Sequence, residues 1–379
     1  MRKMKIGIVC PYDIIKGGGV QEIVKAQAEG LRKRGHDVLV ITPQPPGYEG
    51  EPPNEYTVFV GHSTDVRLPT RTTIQVSSNG REIADELLDR EHFDILHFHE
   101  PWVPSLGAYM LPRSNAINVA TFHAKLPEGF VIKAVSQAIR PLAKAVIKYI
   151  DVFAAASIPG SEYVSSLTDE PVAYVPVDID LKQFKPSKKQ NDNRPNKTIL
   201  YVGRLEGRKG VKYLLQAFAL LQDKYPTLKL DILGDGVDRV KLELLAEDLE
   251  LRNVEFLGFR DNGEKLRRFQ EADVFCSPAV FGEGFGKVLL EAMATGVPTV
   301  AGDNPGYSSV MTGFGAISLV NPRDVRDFAR RLELMLYQKD LRQLWRKWAA
   351  KEVQQYSTEC MLDKYEALYR EALKHGKRV

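Results

Sequence analysis

The residue pattern with the clearest chemical content is EGFGKVLLEAMATGVP, residues 283–298. Glu283 stands in a turn with Gly284 and Gly286, and Glu291 follows eight positions later inside an apolar helical run. A carboxylate in so apolar a setting is unfavourable unless it binds a donor, and the hydroxyl groups of a sugar or a ribose are good donors to it. The pattern predicts a polyol-binding site. The alternative is a helix-stabilising or salt-bridged glutamate.

Two glycine-containing turns could hold a phosphate group. Gly18 and Gly19 follow an apolar strand and open a helix, while Arg204 and Lys209 follow a second strand that ends at Gly203. Backbone N–H groups at a helix N-terminus, joined by a guanidinium and an ammonium group, suit a pyrophosphate. The alternatives are a glycine loop without a ligand and ordinary surface cations.

Three histidines are predicted at the ends of neighbouring strands. His97 and His99 alternate along one strand and precede Glu100, and His123 ends the next strand. A metal site is conceivable, but no HExxH helix or cysteine ligand supports it, and satisfied structural histidines are more common. We therefore expect no metal, and we expect His123 to donate a hydrogen bond to a reacting sugar or leaving group.

Residues 129–150 contain four basic residues and no acidic ones, with Pro141 between them. The basic residues, which are spaced as one stripe of a helix, are Lys133, Arg140, Lys144 and Lys148. Such a stripe is typical of a helix that lies on an anionic membrane surface. A core helix with a solvated basic edge is the alternative.

Short apolar runs alternate with amphipathic helical stretches along the chain, which predicts buried parallel strands joined by helical crossovers. The predicted strands are residues 5–10, 37–42, 94–99, 117–122, 151–156, 198–203, 228–234, 254–258, 272–278, 297–302 and 315–320, and a helix is predicted over residues 19–34. The fold class is α/β with two doubly wound domains. The predicted parts are a first domain at 1–181, a linker at 182–197, a second domain at 198–345, and C-terminal helices at 346–379 that pack back toward the first domain.

Composition sets the broad class of the protein. Its 379 residues, 44% apolar and 27% charged, fit two soluble globular domains. The net charge of +3 excludes a strong nucleic-acid-like excess, although residues 1–180 carry −4 and residues 181–379 carry +7. Three distant cysteines indicate a reducing compartment, and neither a signal peptide nor a membrane span is predicted. We therefore expect a cytoplasmic protein.

Taken together, these residues resemble the family 4 retaining glycosyltransferases, whose GT-B fold is two facing Rossmann-like domains with a cleft between them. The resemblance covers essentially the whole chain. It runs through the GGG-V-Q loop, G-R-x4-K-G at 203–210, L-G-D-G at 233–236 and the E-x7-E pair. It implies a sugar nucleotide with Arg204 and Lys209 on the pyrophosphate, Glu283 on the sugar, Glu291 on the ribose, and Phe259–Asp261 near the base. The donor-binding residues that it implies are Gly18, Gly19, Arg204, Lys209, Gly234, Asp261, Glu283, Gly284, Phe285, Gly286 and Glu291.

Within that family the N-terminal half looks most like the phosphatidylinositol mannosyltransferases, through CPY, GGVQ, LHFHEPWVPSL and VATFH. This likeness implies GDP-mannose as donor, a membrane lipid such as phosphatidylinositol as acceptor, and peripheral association with the inner face of the plasma membrane. The implied acceptor-binding residues are Tyr12, Gln21, His123 and Lys125. Trp102 and the Ala124-Lys125 pair depart from the usual residues of that subfamily at the acceptor site.

The resemblance also implies a mechanism. Transfer proceeds with retention and no obligatory metal, and the implied catalytic residues are His123, Glu283, Arg204 and Lys209. The leaving phosphate takes the proton of the acceptor on the front face of the sugar, and the 182–197 linker acts as a hinge. Two alternatives stay open: a transferase that uses a UDP-hexose on diacylglycerol or a polysaccharide, and a sugar-nucleotide epimerase or inactive subunit.

Overall fold

The computed structural model describes residues 2–16, 18–67, 73–78, 80–101, 103, 106–123, 145–186 and 194–376. The chain divides into two compact units. The first unit comprises Met1–Asp178 together with Thr358–Val379, and the second comprises Ile179–Ser357. The predicted membrane-surface residues Lys133, Arg140 and Lys144 lie outside the described residues, as do Trp102 and Lys125.

The strands are β1 (Lys5–Val9), β2 (Asp37–Gln44), β3 (Thr57–Arg67), β4 (Thr73–Ser78), β5 (Ile95–His99), β6 (Ile117–Phe122), β7 (Val152–Ala155), β8 (Val172–Tyr174), β9 (Thr198–Val202), β10 (Lys229–Leu233), β11 (Val254–Gly258), β12 (Val274–Ser277), β13 (Thr299–Gly302) and β14 (Leu319–Val320). The α-helices are α1 (Gly19–Lys33), α2 (Arg81–Glu91), α3 (Leu106–Met110), α4 (Ile158–Ser165), α5 (Val211–Gln222), α6 (Arg239–Asp248), α7 (Asn262–Glu271), α8 (Lys287–Thr295), α9 (Pro305–Ser308), α10 (Val325–Tyr337), α11 (Lys339–Glu352) and α12 (Thr358–His375).

The sheet of the first unit has eight strands in the order β4-β3-β2-β1-β5-β6-β7-β8. Its strands pair in parallel, except that β4 is antiparallel to β3. The central strands are buried on both faces, and Val9, Phe98, Phe122 and Phe153 form part of one apolar core. Such continuous apolar strands are typical of parallel sheets covered by helices on both sides.

The second unit has a six-stranded parallel sheet in the order β11-β10-β9-β12-β13-β14. Counted within the unit, this is the order 3-2-1-4-5-6 of a dinucleotide-binding sheet. Side-chain caps define where several of its helices begin. The Asp261 carboxylate accepts from the Glu264 amide at the start of α7, and the Asp324 carboxylate accepts from the Asp327 amide at the start of α10.

The prediction of two doubly wound α/β units is confirmed. The run at 315–320 was wrong as a full strand, because a 3-10 turn occupies Gly313–Ser318 and only Leu319–Val320 pairs with β13. The helix predicted over 19–34 is α1. Strands β3, β4 and β8 were not predicted.

The boundaries of the units follow tertiary contacts. The chain leaves the first unit after Asp178 and returns to it at Thr358, so that α11 belongs to the second unit and α12 to the first. At the end of the predicted linker, Arg194 and Lys197 pair with Asp273 of the second unit at 3.0 and 3.2 Å. Residues 187–193 of that linker lie outside the described residues. No helix in the described ranges is both long and apolar enough to cross a membrane.

Candidate active site

Each sheet brings chemically active residues to the point where its strand order reverses. In the second unit the turn after β9 and the turn after β12 leave neighbouring strands at their carboxyl ends. In the first unit β1 and β5 are the corresponding neighbours. Ligands of doubly wound sheets bind outside the carboxyl ends of the strands at this switch point. The predicted residues therefore cluster within each unit where a ligand is expected.

Glu283 lies at the centre of a charge cluster in the second unit. Its Oε1 atom is 2.6 Å from Nη1 of Arg208 and 2.8 Å from Nζ of Lys209. The guanidinium of Arg208 also donates to Glu206 at 3.0 Å and to the carbonyl of Gly282 at 3.2 Å. Burial alone would lower the pKa of Arg208, but the two glutamates outweigh it and raise that pKa, so the group stays charged.

Arg204 is the most exposed cation of this cluster. Its side chain is 63% exposed and pairs with Glu206 at 2.9 Å, while its backbone carbonyl accepts from the buried hydroxyl of Tyr201 at 2.9 Å. The backbone is thus fixed while the guanidinium lies at the surface. An exposed arginine next to a carboxylate can exchange that partner for a phosphate group with little loss of stability.

Positive φ angles and close packing explain two of the glycines beside this cluster. Gly234 has φ of +140°, and a Cβ atom there would lie 1.9 Å from the carbonyl oxygen of Gly203. Gly286 has φ of +98° and is the N-cap of α8, whose first amides receive no side-chain cap. A helix N-terminus with uncapped amides favours an anion, which is the role predicted for this turn.

Glu291 lies buried on α8 and is held by a lysine from the neighbouring helix α7. Its Oε1 atom is 2.7 Å from Nζ of Lys265, whose ammonium also lies 5.4 Å from the ring centroid of Phe184. Its Oε2 atom is buried and has no hydrogen-bond partner within the described part of the chain. A buried carboxylate oxygen without a donor is an acceptor for a ligand hydroxyl group.

Other residues predicted to bind the donor have structural duties. The side chain of Asp261 caps α7, and the Phe285 ring packs edge-on against Tyr356 at a centroid distance of 5.5 Å. Phe259, in contrast, is 80% exposed. The loop beyond β11 therefore offers an aromatic surface, while Asp261 and Phe285 shape the backbone around it.

A buried chain of hydrogen bonds occupies the corresponding point of the first unit. Nδ1 of His99 lies 2.8 Å from Nε2 of His123, and Nε2 of His99 lies 2.9 Å from Oε1 of Gln27. Nε2 of Gln27 contacts Nδ1 of His97 at 2.8 Å and the hydroxyl of Tyr369, on α12, at 2.7 Å. The three predicted histidines are thus brought together, in contact with one another and with Gln27.

Burial keeps these imidazoles neutral. It lowers the pKa of His97 to about 3 and that of His123 to about 4, and it lowers the pKa of His99 well below its usual value. The carboxylate of Glu100 accepts from the backbone amide of His123 at 2.9 Å. No group of metal-ligating side chains was found among the residues with assigned structure.

The glycine turn after β1 places the other predicted acceptor residues. Gln21 is buried, and its amide donates to the carbonyl of Asp13 at 3.4 Å. Burial raises the pKa of the half-buried Tyr12. Gly18, which precedes α1, is in extended backbone, and a Cβ atom there would lie 2.4 Å from Oε1 of Gln21. Gly19 has open space around its Cα, which is compatible with a ligand close to the backbone.

Comparison with known proteins covers both units. The family model described as Glycosyltransferase Family 4 matches residues 17–182, and that described as Glycosyl transferases group 1 matches residues 182–352. A phosphatidyl-myo-inositol mannosyltransferase of Mycolicibacterium smegmatis is 32% identical over 93% of this chain and 90% of the relative. A protein of that name from Mycobacterium leprae is 30% identical over 99% of both chains. The chain belongs to the family 4 glycosyltransferases.

Solved structures share the fold of this chain. A sucrose-phosphate synthase of Thermosynechococcus elongatus superposes with a TM-score of 0.78 at 20% identity, covering 99% of this glycosyltransferase and all of the synthase chain. Anabaena Alr3699/HepE in complex with UDP and glucose gives a TM-score of 0.76 at 17% identity, covering 97% of this chain and 100% of that one. At these identities the likeness shows the fold alone, and it confirms the GT-B prediction.

Four residues that contact predicted site residues within their own unit escaped the sequence analysis. They are Gln27, Arg208, Lys265 and Tyr369. Arg208 precedes Lys209 in the run G-R-K-G, so the adjacent cation was a usable signal. Gln27 and Lys265 lie on helices with no motif around them, and Tyr369 lies some 240 residues beyond His123 in the chain. Only tertiary packing reveals those three.

Proposed function

We propose that this glycosyltransferase moves a mannosyl residue from GDP-mannose to phosphatidylinositol, with retention of configuration. The observation that carries the proposal is the paired glutamates: Glu283 with its two cations, and Glu291 with a buried oxygen that lacks a donor. The name shared by relatives that match nearly the whole chain supports the choice of sugar and acceptor.

The donor would be held by the second unit. Arg204 and the N-terminus of α8 would take the diphosphate, and the ammonium of Lys209 has further N–H groups beyond the one on Glu283. Glu283 would accept from a hydroxyl of the hexose, and Oε2 of Glu291 from a ribose hydroxyl. Lys209, which Glu283 already holds in place, would stabilise charge that develops on the leaving diphosphate with little reorganisation, and Arg204 would exchange Glu206 for a phosphate oxygen.

The proposed transfer follows a front-face route. The acceptor hydroxyl forms the new bond to the anomeric carbon on the face from which the diphosphate leaves. The bond between that carbon and the phosphate oxygen breaks, and the departing phosphate oxygen takes the hydroxyl proton. The α- or β-configuration of the donor is then kept, and an inverted product would contradict this route.

Membrane association is proposed from the basic stripe at 129–150. Its residues are Lys133, Arg140, Lys144 and Lys148, of which Lys148 is described, with its ammonium 4.8 Å from the ring centroid of Tyr149. Replacing all four by glutamine should weaken binding to vesicles that contain anionic lipid, since each basic residue contributes about 1 kcal/mol at such a surface. Sedimentation with vesicles measures this, and unchanged binding would contradict a membrane role for the stripe.

Thermal unfolding with different donors tests the choice of nucleotide sugar. At 100 times its dissociation constant a ligand stabilises the folded state by about 2.7 kcal/mol. GDP-mannose should raise the melting temperature, while UDP-glucose and UDP-GlcNAc should not. A shift with a UDP-sugar alone would favour the alternative of a UDP-hexose transferase that acts on diacylglycerol or a polysaccharide. The sequence features that support that alternative are Trp102 and the Ala124-Lys125 pair, which depart from the usual residues of the phosphatidylinositol mannosyltransferases.

A further inference from the structure

The buried chain of side chains in the first unit has a defined direction. Nε2 of Gln27 carries two hydrogens and donates to the hydroxyl of Tyr369 at 2.7 Å, while its second hydrogen faces Nδ1 of His97 at 2.8 Å. The hydroxyl of Tyr369 lies 2.6 Å from the same Nδ1 atom and donates to it, so Nδ1 of His97 is an acceptor. Oε1 of the same amide is an acceptor only. It lies 2.9 Å from Nε2 of His99, and that nitrogen must therefore carry the hydrogen.

The hydrogen-bond direction continues from His99 to His123, whose rings are stacked. A neutral imidazole carries one N–H, so a hydrogen on Nε2 of His99 leaves a lone pair on its Nδ1. Nε2 of His123, at 2.8 Å, must then donate to that lone pair. The hydrogen of His123 is thereby used, and its Nδ1 is left as an acceptor. That Nδ1 atom is buried and has no hydrogen-bond partner in the described ranges.

We propose that Gln27, oriented by Tyr369 of the C-terminal helix, is a positioning residue that fixes the tautomers of His99 and His123, so that Nδ1 of His123 accepts a hydrogen bond from a ligand hydroxyl group. The inference rests on the proposed function, which supplies such a hydroxyl from either the acceptor polyol or the hexose of the donor. It replaces the donor role expected for His123 from the sequence.

The surroundings disfavour protonation of the histidine rings, which would place a hydrogen on both nitrogens of a ring. Titratable groups that contact the chain include Glu100, Tyr365 and Tyr369, and beyond them Tyr12 lies near Glu100 and Asp178 near Tyr365. Burial raises the pKa of each of these tyrosines, and the oxygen Oε1 of Glu100 is occupied by the His123 amide. At the other end of the chain of hydrogen bonds, Nε2 of His97 lies 2.7 Å from the hydroxyl of Thr121. That hydroxyl lies 3.1 Å from the hydroxyl of Tyr365.

The tautomers can be measured without any substrate. In the full chain labelled with ¹⁵N-histidine, long-range ¹⁵N–¹H spectra distinguish a protonated ring nitrogen from an unprotonated one. We expect His97, His99 and His123 each to carry hydrogen on Nε2 only, at pH 7. In Gln27→Met, which removes both the donor and the acceptor, His99 and His123 should populate both tautomers. An Nδ1–H tautomer of His123 in the wild type, or unchanged tautomers in the variant, would overturn the proposal.

Kinetics with phosphatidylinositol vesicles and GDP-mannose locate the hydroxyl. Gln27→Met should raise one KM about tenfold and change kcat little. The KM for phosphatidylinositol should rise if the hydroxyl belongs to the acceptor, and the KM for GDP-mannose should rise if it belongs to the hexose. Gln27→Glu keeps an oxygen that accepts from His99 and should restore KM at pH 8. Gln222→Met removes a buried amide of the second unit and serves as the matched control.

The two measurements separate failure of the inference from failure of the proposed function. An enzyme that does not use GDP-mannose and phosphatidylinositol but shows the expected tautomers refutes the function and leaves the positioning role intact. Unchanged KM values for both substrates in an active, folded Gln27→Met protein would refute the positioning role, as would a KM in Gln27→Glu as high as that in Gln27→Met.

Discussion

At the scale of single residues, the carboxylates of Glu283 and Glu291 in the second unit are paired with cations in different ways. Glu283 lies in a turn and shares one oxygen between Arg208 and Lys209. Glu291 lies within α8, and among the described residues Lys265 is the one partner of its carboxylate. A turn can be approached by several flexible cations, whereas a carboxylate on the buried face of a helix is reached only by a side chain on the helix packed against it. Loss of one cation should therefore leave the carboxylate of Glu291, but not that of Glu283, without a paired charge.

Arg204 offers a test with a closely matched control. Arg252 is 62% exposed and pairs with Asp223 at 2.8 Å, whereas Arg204 is 63% exposed and pairs with Glu206 at 2.9 Å. Exposed pairs of this kind contribute about 0–1 kcal/mol to stability. We therefore expect neither Arg204→Ala nor Arg252→Ala to change the melting temperature by more than a few degrees.

The two variants should differ in activity. Arg204→Ala should reduce transfer at least about 100-fold, because a cation at the leaving diphosphate is lost, and Arg252→Ala should retain normal rates. Steady-state transfer assays measure both. Equal activity in the two variants would remove Arg204 from the site.

Lys265→Met tests the pairing of Glu291. Removing one partner of a buried ion pair lowers the free energy of unfolding by about 3–5 kcal/mol, because the other charge is left uncompensated. The pair is part-buried, with Lys265 18% and Glu291 4% exposed, so we expect a loss at or below the lower end of that range. The variant should melt earlier and bind the sugar nucleotide more weakly. Lys265→Arg, which keeps the charge, should regain part of both, as measured by denaturant unfolding and calorimetry. A Lys265→Met protein as stable as the wild type would contradict the pairing.

At the scale of elements, α12 is fastened to α1 by charges as well as by apolar packing. Glu366 of α12 accepts from Nε2 of His36 at 2.7 Å and from Nη1 of Arg34 at 2.7 Å. Burial alone would raise the pKa of Glu366, but these hydrogen bonds outweigh it, and its pKa lies below its usual value. The contribution to stability is therefore present above about pH 4.5 and is lost as the pH falls through the folded-state pKa.

Glu366→Gln should remove this contribution. We expect the first unit to lose about 2–3 kcal/mol at pH 7, because hydrogen bonds to a charged group are lost, and to depend less on pH below 4.5. Glu371, on the exposed side of the same helix, pairs within the described residues with Lys374 and His375, and Glu371→Gln should change stability little. Urea titrations at pH 7 and pH 4 measure this. Equal effects of the two substitutions would show that the buried contacts of Glu366 do not hold the helix.

Apolar periodicity predicted the central strands of both sheets because those strands are buried on both faces. It missed β3 and β8, whose alternating or short runs lack a continuous apolar stretch. It also misread 315–320, where Ala316, Ile317 and Ser318 form a 3-10 turn before a two-residue strand. Motif spacing predicted both glutamates and Lys209, which the structure brings together or buries, but it did not indicate Gln27 or Lys265. Their partners are distant in sequence, and nothing local to either residue marks its role.

At the scale of the whole molecule, the two units differ in their titratable groups. All seven histidines of the chain lie in the first unit. Burial holds the pKa values of His97, His99 and His123 below their usual value, so the unfolded chain takes up protons that the folded unit does not. Each such imidazole then removes about 1.4 kcal/mol of stability per pH unit as the pH falls below about 6.5.

Calorimetry at pH 7.5 and pH 5.5 should therefore separate the units. We expect the melting transition of the first unit to fall by roughly 8–16 °C, because three imidazoles together remove about 4 kcal/mol between pH 7.5 and pH 5.5, and that of the second unit to move by less. Lys265→Met identifies the second transition, since it lowers that one only. Equal shifts of both transitions would contradict the buried, neutral state of the histidines.

The most direct test of the proposed function is transfer itself. Purified protein is incubated with GDP-mannose and phosphatidylinositol vesicles, with UDP-glucose and diacylglycerol vesicles in parallel, and the lipids are analysed by mass spectrometry and NMR. We predict a mannosylated phosphatidylinositol with the anomeric configuration of the donor, formed by the wild type and Arg252→Ala but not by Glu283→Gln. Glucosylated diacylglycerol in place of that product, or equal turnover by Glu283→Gln, would contradict the account.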